Sequence, residues 1–257
     1  MLSDFFKIIE ATIAAKTTTM TKLKKHIFPT RLLNLDHLAY TEALALMRGM
    51  VDLKKGTHAP EILMLLEHEP VFTMGRRSDA HEIRVSQKSL EAQGIGVHRI
   101  ERGGLITYHG PGQLVAYVVF DLKRMRLGVS ELVQELEAVI LDTLSDFGIR
   151  ANRIEGYRGV WVGNEKIASI GIAVRRSITF HGLALNYNPN LLHFEMISPC
   201  GLEGVKMTSM SKILQTQINP AQLRDAMARH FSVHFKLEFL PWSLEQAQAL
   251  IDVRPSA

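Results

Sequence analysis

The stretch from Gly159 to Asn186 constrains the fold more than any other. Gly159 to Val162 and Lys166 to Val174 both read as strands, with only Gly163-Asn164-Glu165 between them. A connection this short makes an antiparallel hairpin, because a parallel crossover needs a dozen or more residues. A further strand pattern, Ser177 to Asn186, follows at once. Val97 to Glu101 and Leu105 to Tyr108 flank Arg102-Gly103-Gly104, and Gln113 to Phe120 follows the turn His109-Gly110-Pro111-Gly112. Strands outnumber helices and arrive in adjacent pairs. The expectation is an α+β fold with a mixed or largely antiparallel sheet and packed helices.

The helical segments are fewer. From Asn34, read as an N-cap, Leu35, Leu38, Ala39, Ala43, Leu46, Met47 and Met50 recur at helical spacing and predict a core-facing helix ending before Gly56. Glu61 to Glu67 reads as a short buried strand ended by His68, Glu69 and Pro70. Ser130 is placed to cap a helix whose stripe is Val133, Leu136, Ile140, Leu144 and Phe147, with Gly148 at its end. Asn219-Pro220 opens another helix, and Ser243 a last one.

At 257 residues and 46% hydrophobic content the chain buries a large core. Residues 28–257 read as a single domain and residues 1–27 as an N-terminal extension, in which Phe5, Ile8, Ile9 and Ile13 line a short helix. Apolar runs such as Leu114 to Phe120 are too short to cross a bilayer, and residues 1–20 lack a signal-peptide pattern, so a cytoplasmic protein with no membrane partner is expected. One cysteine excludes an intramolecular disulfide and a cysteine-cluster metal site. A net charge of +4 favours acidic partners mildly. No basic run exceeds Lys22 to Lys25, and nucleic acid is not an expected partner.

Cys200 lies between Pro199 and Gly201, a pairing that builds a constrained turn able to present a thiol and nearby amides; the plain alternative is a small buried hydrophobe. The stretch RGGLITYHGPGQ, Arg102 to Gln113, reads as a binding wall, since glycines let a ligand approach the main chain while Arg102, Thr107 and His109 can bond a polar atom. It also reads as an ordinary glycine-rich turn. No G-K-[ST] follows the glycines, so it is not a phosphate-binding P-loop. Strict alternation puts Lys166, Ala168, Ile170, Ile172 and Val174 on one face of their strand and the mostly small Ile167, Ser169, Gly171 and Ala173 on the other. Gly182, Leu183 and Ala184 repeat the small-residue feature, which leaves room for a slender ligand. Lys166 is either a solvated charge or a partly buried catalytic amine.

RGGLITYHGPGQ, then GVWVGNEKIASIGIAVRRSITFHGLALN, then ISPCG followed by MTS, closely resemble the lipoyl(octanoyl) transferases, over roughly residues 30–235. The resemblance implies the α+β fold shared with biotin and lipoate protein ligases. It also implies an acyl-carrying Cys200 and a Lys166 that lowers the thiol pKa and moves protons. The implied substrate walls are Arg102, Gly103, Gly104, Leu105, Ile106, Thr107, Tyr108 and His109, then Ser169, Ile170 and Gly171, then Gly182, Leu183 and Ala184. The implied activity moves an octanoyl group from octanoyl-acyl carrier protein to a lysine of lipoyl domains, those of 2-oxoacid dehydrogenase complexes and the glycine cleavage H protein. No cofactor is needed, because thioester to amide is downhill, and a monomer is expected. Arg175 and Arg176 are candidate docking charges for the acidic carrier.

Three other readings stay open on the residues themselves. One is an ATP-dependent lipoate or octanoate ligase on the same fold. A second is a non-catalytic binder of lipoyl domains or carrier protein. The third is a Cys-His hydrolase using His109, His181 or His193 as base.

Overall fold

A computed structural model describes residues 27–55, 59–198 and 205–252. In chain order the elements are β1 (Phe28–His37), α1 (Tyr40–Lys54), β2 (Glu61–Glu67), β3 (Val71–Met74), a 3-10 turn (Ala80–Glu82), α2 (Gln87–Ala92), β4 (Gly96–Arg99), β5 (Thr107–His109), β6 (Gln113–Val119), α3 (Leu122–Met125), α4 (Val129–Asp146), β7 (Asn152–Ile154), β8 (Tyr157–Val162), β9 (Glu165–Arg175), β10 (Ile178–Asn186), α5 (Leu192–Glu195), β11 (Lys206–Met207), α6 (Met210–Leu214), α7 (Pro220–Phe235), β12 (Leu237–Pro241) and α8 (Leu244–Asp252). No helix among the described residues is long and apolar enough to cross a membrane.

The main sheet runs β12-β1-β2-β6-β10-β9-β8-β7, with β11 joined to β9. β1 is parallel to both β12 and β2, whereas β2, β6, β10, β9, β8 and β7 are antiparallel neighbours, so the sheet is mixed. A smaller sheet, β4-β3-β5, stands beside it. Alternation along each strand divides the core in two. Leu63, Leu65, Leu114, Val118, Leu183 and Leu185 point to one face and pack on α4 and α7. Ile62, Met64, Val115, Tyr117, Phe180 and Ala184 point to the other, under α1 and α8.

Two helix starts differ from the sequence reading. Asn34 is not a cap: it lies inside β1, paired with Leu65, and α1 begins at Tyr40. Leu33 and Leu38 are buried, so apolar spacing in this stretch serves a strand and a helix in succession. The cap of α1 comes from far along the chain, where the Glu69 carboxylate accepts from the Tyr40 N–H at 3.0 Å. In α4 the cap position is Gly128 rather than Ser130, and Glu131 closes the first turn by accepting from the Gly128 N–H at 2.7 Å. Asn219 does cap α7, its Oδ1 accepting from Ala221 and Gln222, and Ser243 caps α8 through Gln246.

Candidate active site

Where β6, β10 and β9 meet the α1 side of the sheet, the surface is hollow. A cavity of about 530 Å³ lies there, roofed by the loop after β4, a volume within the range of small-molecule sites. Its floor is made of facing small residues, Ser169 opposite Ala184 and Gly171 opposite Gly182. A Cβ on Gly171 would come within 2.8 Å of Arg102 Cδ, and one on Gly182 within 1.9 Å of the Ala116 carbonyl oxygen. The glycines therefore let the Arg102 side chain and a neighbouring main chain approach closely.

Arg102 is buried and holds the roof. Its Nη1 donates to the Leu105 carbonyl at 2.7 Å and its Nη2 to Thr73 Oγ1 at 2.9 Å and the Thr73 carbonyl at 2.5 Å. The Gly103 N–H donates to the Ile172 carbonyl at 3.1 Å and ties the loop to β9. These donors go to the protein's own carbonyls and hydroxyl, which fixes the shape of the wall.

Lys166 lines the same cavity as Ser169 and Gly171, against the strict alternation expected of β9. The cause is a register shift: Trp161 pairs with Lys166 and Val160 with Ala168, so Ile167 is an extra residue. Such a bulge exchanges the faces of a strand on either side of it. Lys166 is 4% exposed, and its Nζ lies 5.4 Å from the centre of the Trp161 ring. Gly159 makes room beneath it, since a Cβ there would sit 2.8 Å from Lys166 Cε.

A polar cluster closes the cavity beyond Arg102. His68 Nδ1 faces the Leu38 carbonyl at 2.7 Å, so it carries the proton, and His68 Nε2 accepts from the Tyr117 hydroxyl at 2.7 Å. By the same logic His109 Nδ1 donates to Gln113 Oε1 at 2.7 Å. Gln113 donates to Asn186 Oδ1, Asn186 donates to the Thr208 carbonyl, and the Thr208 N–H donates to the Lys166 carbonyl at 2.9 Å. This chain of bonds braces β9 at the lysine. Burial pushes the imidazoles of His109 and His181 down to about 3 and of His68 to about 4, and it raises the Tyr40 and Tyr117 hydroxyls well above the usual tyrosine range.

Twelve of the fourteen expected wall residues from Arg102 to Ala184, together with Lys166, are easily placed: Arg102 to Thr107, Ser169 to Gly171 and Gly182 to Ala184 all border the cavity, and so does a thirteenth, His109. Tyr108 does not. It packs with Phe72 and Phe194 in the core of the small sheet, because alternation along β5 turns it away from its neighbours Thr107 and His109. His193 meets Tyr108 edge to face on that far side. Cys200 lies outside the described residues, as do residues 1–26. Its flanks are held: the Ser198 N–H donates to the Glu82 carbonyl at 2.7 Å, and β11 pairs with Glu165 and Lys166. Glu82 in turn accepts from the N–H of Ile106, a cavity residue. Arg175 lies 3.7 Å from Asp52 and, like Arg176, is exposed and outside the cavity lining. The wall also contains Tyr40, Arg77, Ile100, Tyr117 and Gly156 to Arg158. None carried a motif signal, Tyr40 included.

The profile of the lipoyl protein ligase A/B catalytic domain matches residues 39–232. The octanoyltransferase of Syntrophobacter fumaroxidans is 39% identical over 228 residues, covering 86% of this chain and 97% of its own length. That of Koribacter versatilis is 40% identical over 215 residues, covering 82% and 86%. Among solved structures, lipoate-protein ligase A bound with ATP superposes with a TM-score of 0.68 at 18% identity, covering 88% of this chain and 95% of its own; this is a likeness of fold. The chain belongs to the lipoyl protein ligase A/B catalytic-domain family, among the octanoyltransferases.

Proposed function

We propose that the protein transfers an octanoyl group from octanoyl-acyl carrier protein, through a thioester on Cys200, to a lysine amine of lipoyl domains, acting in the cytoplasm as one catalytic domain from residue 28 onward. The observation that carries this reading is the buried Lys166, turned by the β9 bulge into a cavity whose floor is stripped to Ser169, Gly171, Gly182 and Ala184. An ammonium close to a thiol favours the thiolate, which is the reacting form. In the first half-reaction the Cys200 thiolate forms a bond to the thioester carbonyl carbon. The bond from that carbon to the phosphopantetheine sulfur breaks, and the departing thiolate takes a proton from the Lys166 ammonium. The acceptor lysine amine then attacks the Cys200 thioester, neutral Lys166 takes the proton released as the amide forms, and Cys200 leaves as thiolate. Charges and protons return to their starting places. A narrow slot of small residues suits a saturated chain that gains its affinity by leaving water.

The hydrolase reading is weaker on this geometry. Imidazoles held near 3, as His109 and His181 are, have little proton affinity for the work of a general base at neutral pH. Intact-mass spectrometry tests the proposal. Mixed with octanoyl-acyl carrier protein and no ATP, the protein gains one octanoyl group, mapped to Cys200 and lost on addition of a lipoyl domain. Transfer that requires ATP, with no adduct on Cys200, would replace this reading by the ligase one.

A further inference from the structure

At the end of the cavity away from Lys166 stand two polar atoms that nothing in the reaction above uses. Tyr40 is fully buried and His181 is 2% exposed, both line the cavity, and neither Tyr40 Oη nor His181 Nε2 has a hydrogen-bond partner among the described residues. A buried polar atom left unpaired loses its hydration with nothing in return. The protein also holds His181 in place at some expense: its φ is +62°, in the left-handed region that disfavours a side chain of this size, and its N–H is turned to Met47 Sδ at 3.3 Å. His68 and Tyr117 nearby satisfy each other, so the unpaired state belongs to Tyr40 and His181 and not to the whole cluster.

We propose that Tyr40 and His181 form a polar subsite that receives a neutral hydrogen-bonding group, a hydroxyl, at the far terminus of a medium-length acyl chain. The inference rests on the acyl-transfer reading of the cavity and adds to it a substrate class, the ω-hydroxyacyl group. Position along the sheet gives the direction. His181 pairs with Ile172, six residues along β9 from Lys166, and Gly182 and Gly171 lie between. A chain whose carbonyl is held at Lys166 and whose methylenes cross the glycine floor points its terminus at Tyr40 and His181. The chemistry gives the class. With the imidazole neutral because it is buried and the phenol likewise neutral, the pair offers hydroxyl-type donors and acceptors with no net charge, and the Arg102 guanidinium beside it is engaged with Thr73 and Leu105. A hydroxyl both donates and accepts, which matches the two unpaired atoms.

The test measures binding as well as transfer. Octanoate and 8-hydroxyoctanoate are titrated into the full chain by calorimetry, and octanoyl and 8-hydroxyoctanoyl thioesters of the carrier protein are compared as donors. The same is done with Tyr40→Phe, which removes one oxygen, and His181→Asn, which tolerates the left-handed backbone and, being shorter, removes the Nε2 position. Thermal melts report folding. The wild type is expected to bind the hydroxylated acid at least as tightly as octanoate, and each variant to lose about fivefold to tenfold of that preference, the worth of one hydrogen bond. Rejection of the hydroxylated probe by the wild type, as by a plain apolar pocket, would overturn the proposal, and so would folded variants that keep the wild-type ratio. Calorimetric binding without transfer leaves the subsite standing and rejects the transfer reading; no binding of either probe rejects both.

Discussion

The two faces of the main sheet are made from the same strands and do opposite things. Toward α4 and α7, β6 and β10 present Leu114, Val118, Leu183 and Leu185 and the space is filled. One residue along, the same strands present Tyr117, His181, Gly182 and Ala184, and the space is hollow. Backbone pairing is continuous through both, so the floor of the site is produced by side-chain subtraction on a rigid ladder, with the loop after β4 added as its roof. On the proposed function the filled face supplies stability and the hollow face supplies the site, and substitutions one residue apart separate the two.

Lys166→Met should have the largest effect. It keeps the bulk of the stem against Trp161 and removes the amine proposed to carry the proton, so kcat/KM for transfer should fall by about 10²–10⁴ while the melting temperature holds. A loss of folding would instead mean that the ammonium is structural. On the filled face, Leu185→Ala, which borders no part of the cavity, leaves a void between the sheet and its helices and should cost about 2–5 kcal/mol by chemical denaturation. Donor selectivity should persist at temperatures where the variant stays folded; altered selectivity would show that the two faces are not separate.

The smallest effect concerns pH and lies far from the hollow, where α7 packs on α4. His234 sits between Glu135 and Asp142, at 2.9 and 2.7 Å. Partial burial disfavours its charge, but hydrogen bonds to the two carboxylates outweigh that and raise its pKa. A folded pKa above the unfolded value of about 6.5 means that the stabilisation is fully present below that pH and fades as pH rises through the folded value. His230 and Arg229, which share Asp146, are the neighbouring side chains. His234→Gln should therefore be less stable than the wild type in mild acid, with the gap closing at alkaline pH and no change in donor preference. A gap that widens with pH would contradict the pairing.

Much of the frame was legible because it is local. The bounds of β2 follow from five apolar residues between two glutamates, and the β8–β9 hairpin from Gly163, whose φ is +57°. Asn219-Pro220 marks α7 for the same reason. β1 was not legible, since its partners β2 and β12 are supplied by tertiary pairing and Leu237 is over two hundred residues from Phe28. In the site, the glycine and small-residue stretches pointed to the floor and roof. The bulge at Ile167 did not show, because one extra residue leaves no trace in a strand's composition, and it is what brings Lys166 to the cavity side. Tyr40 carried no signal of its own, and the bonds that Arg102 makes depend on carbonyl positions that no motif encodes.

The claim that the hollow holds the acyl chain is tested most directly at Ala184, next to the Leu183 that faces the helices. Ala184→Leu adds bulk to the floor opposite Ser169, and kcat/KM should be measured with octanoyl and butyryl donors on the same carrier protein. Octanoyl transfer should fall by about a hundredfold, the upper range for a pocket short of a few methylenes, while butyryl transfer stays within about threefold. An equal loss with both donors, or none with either, would mean that the chain lies elsewhere.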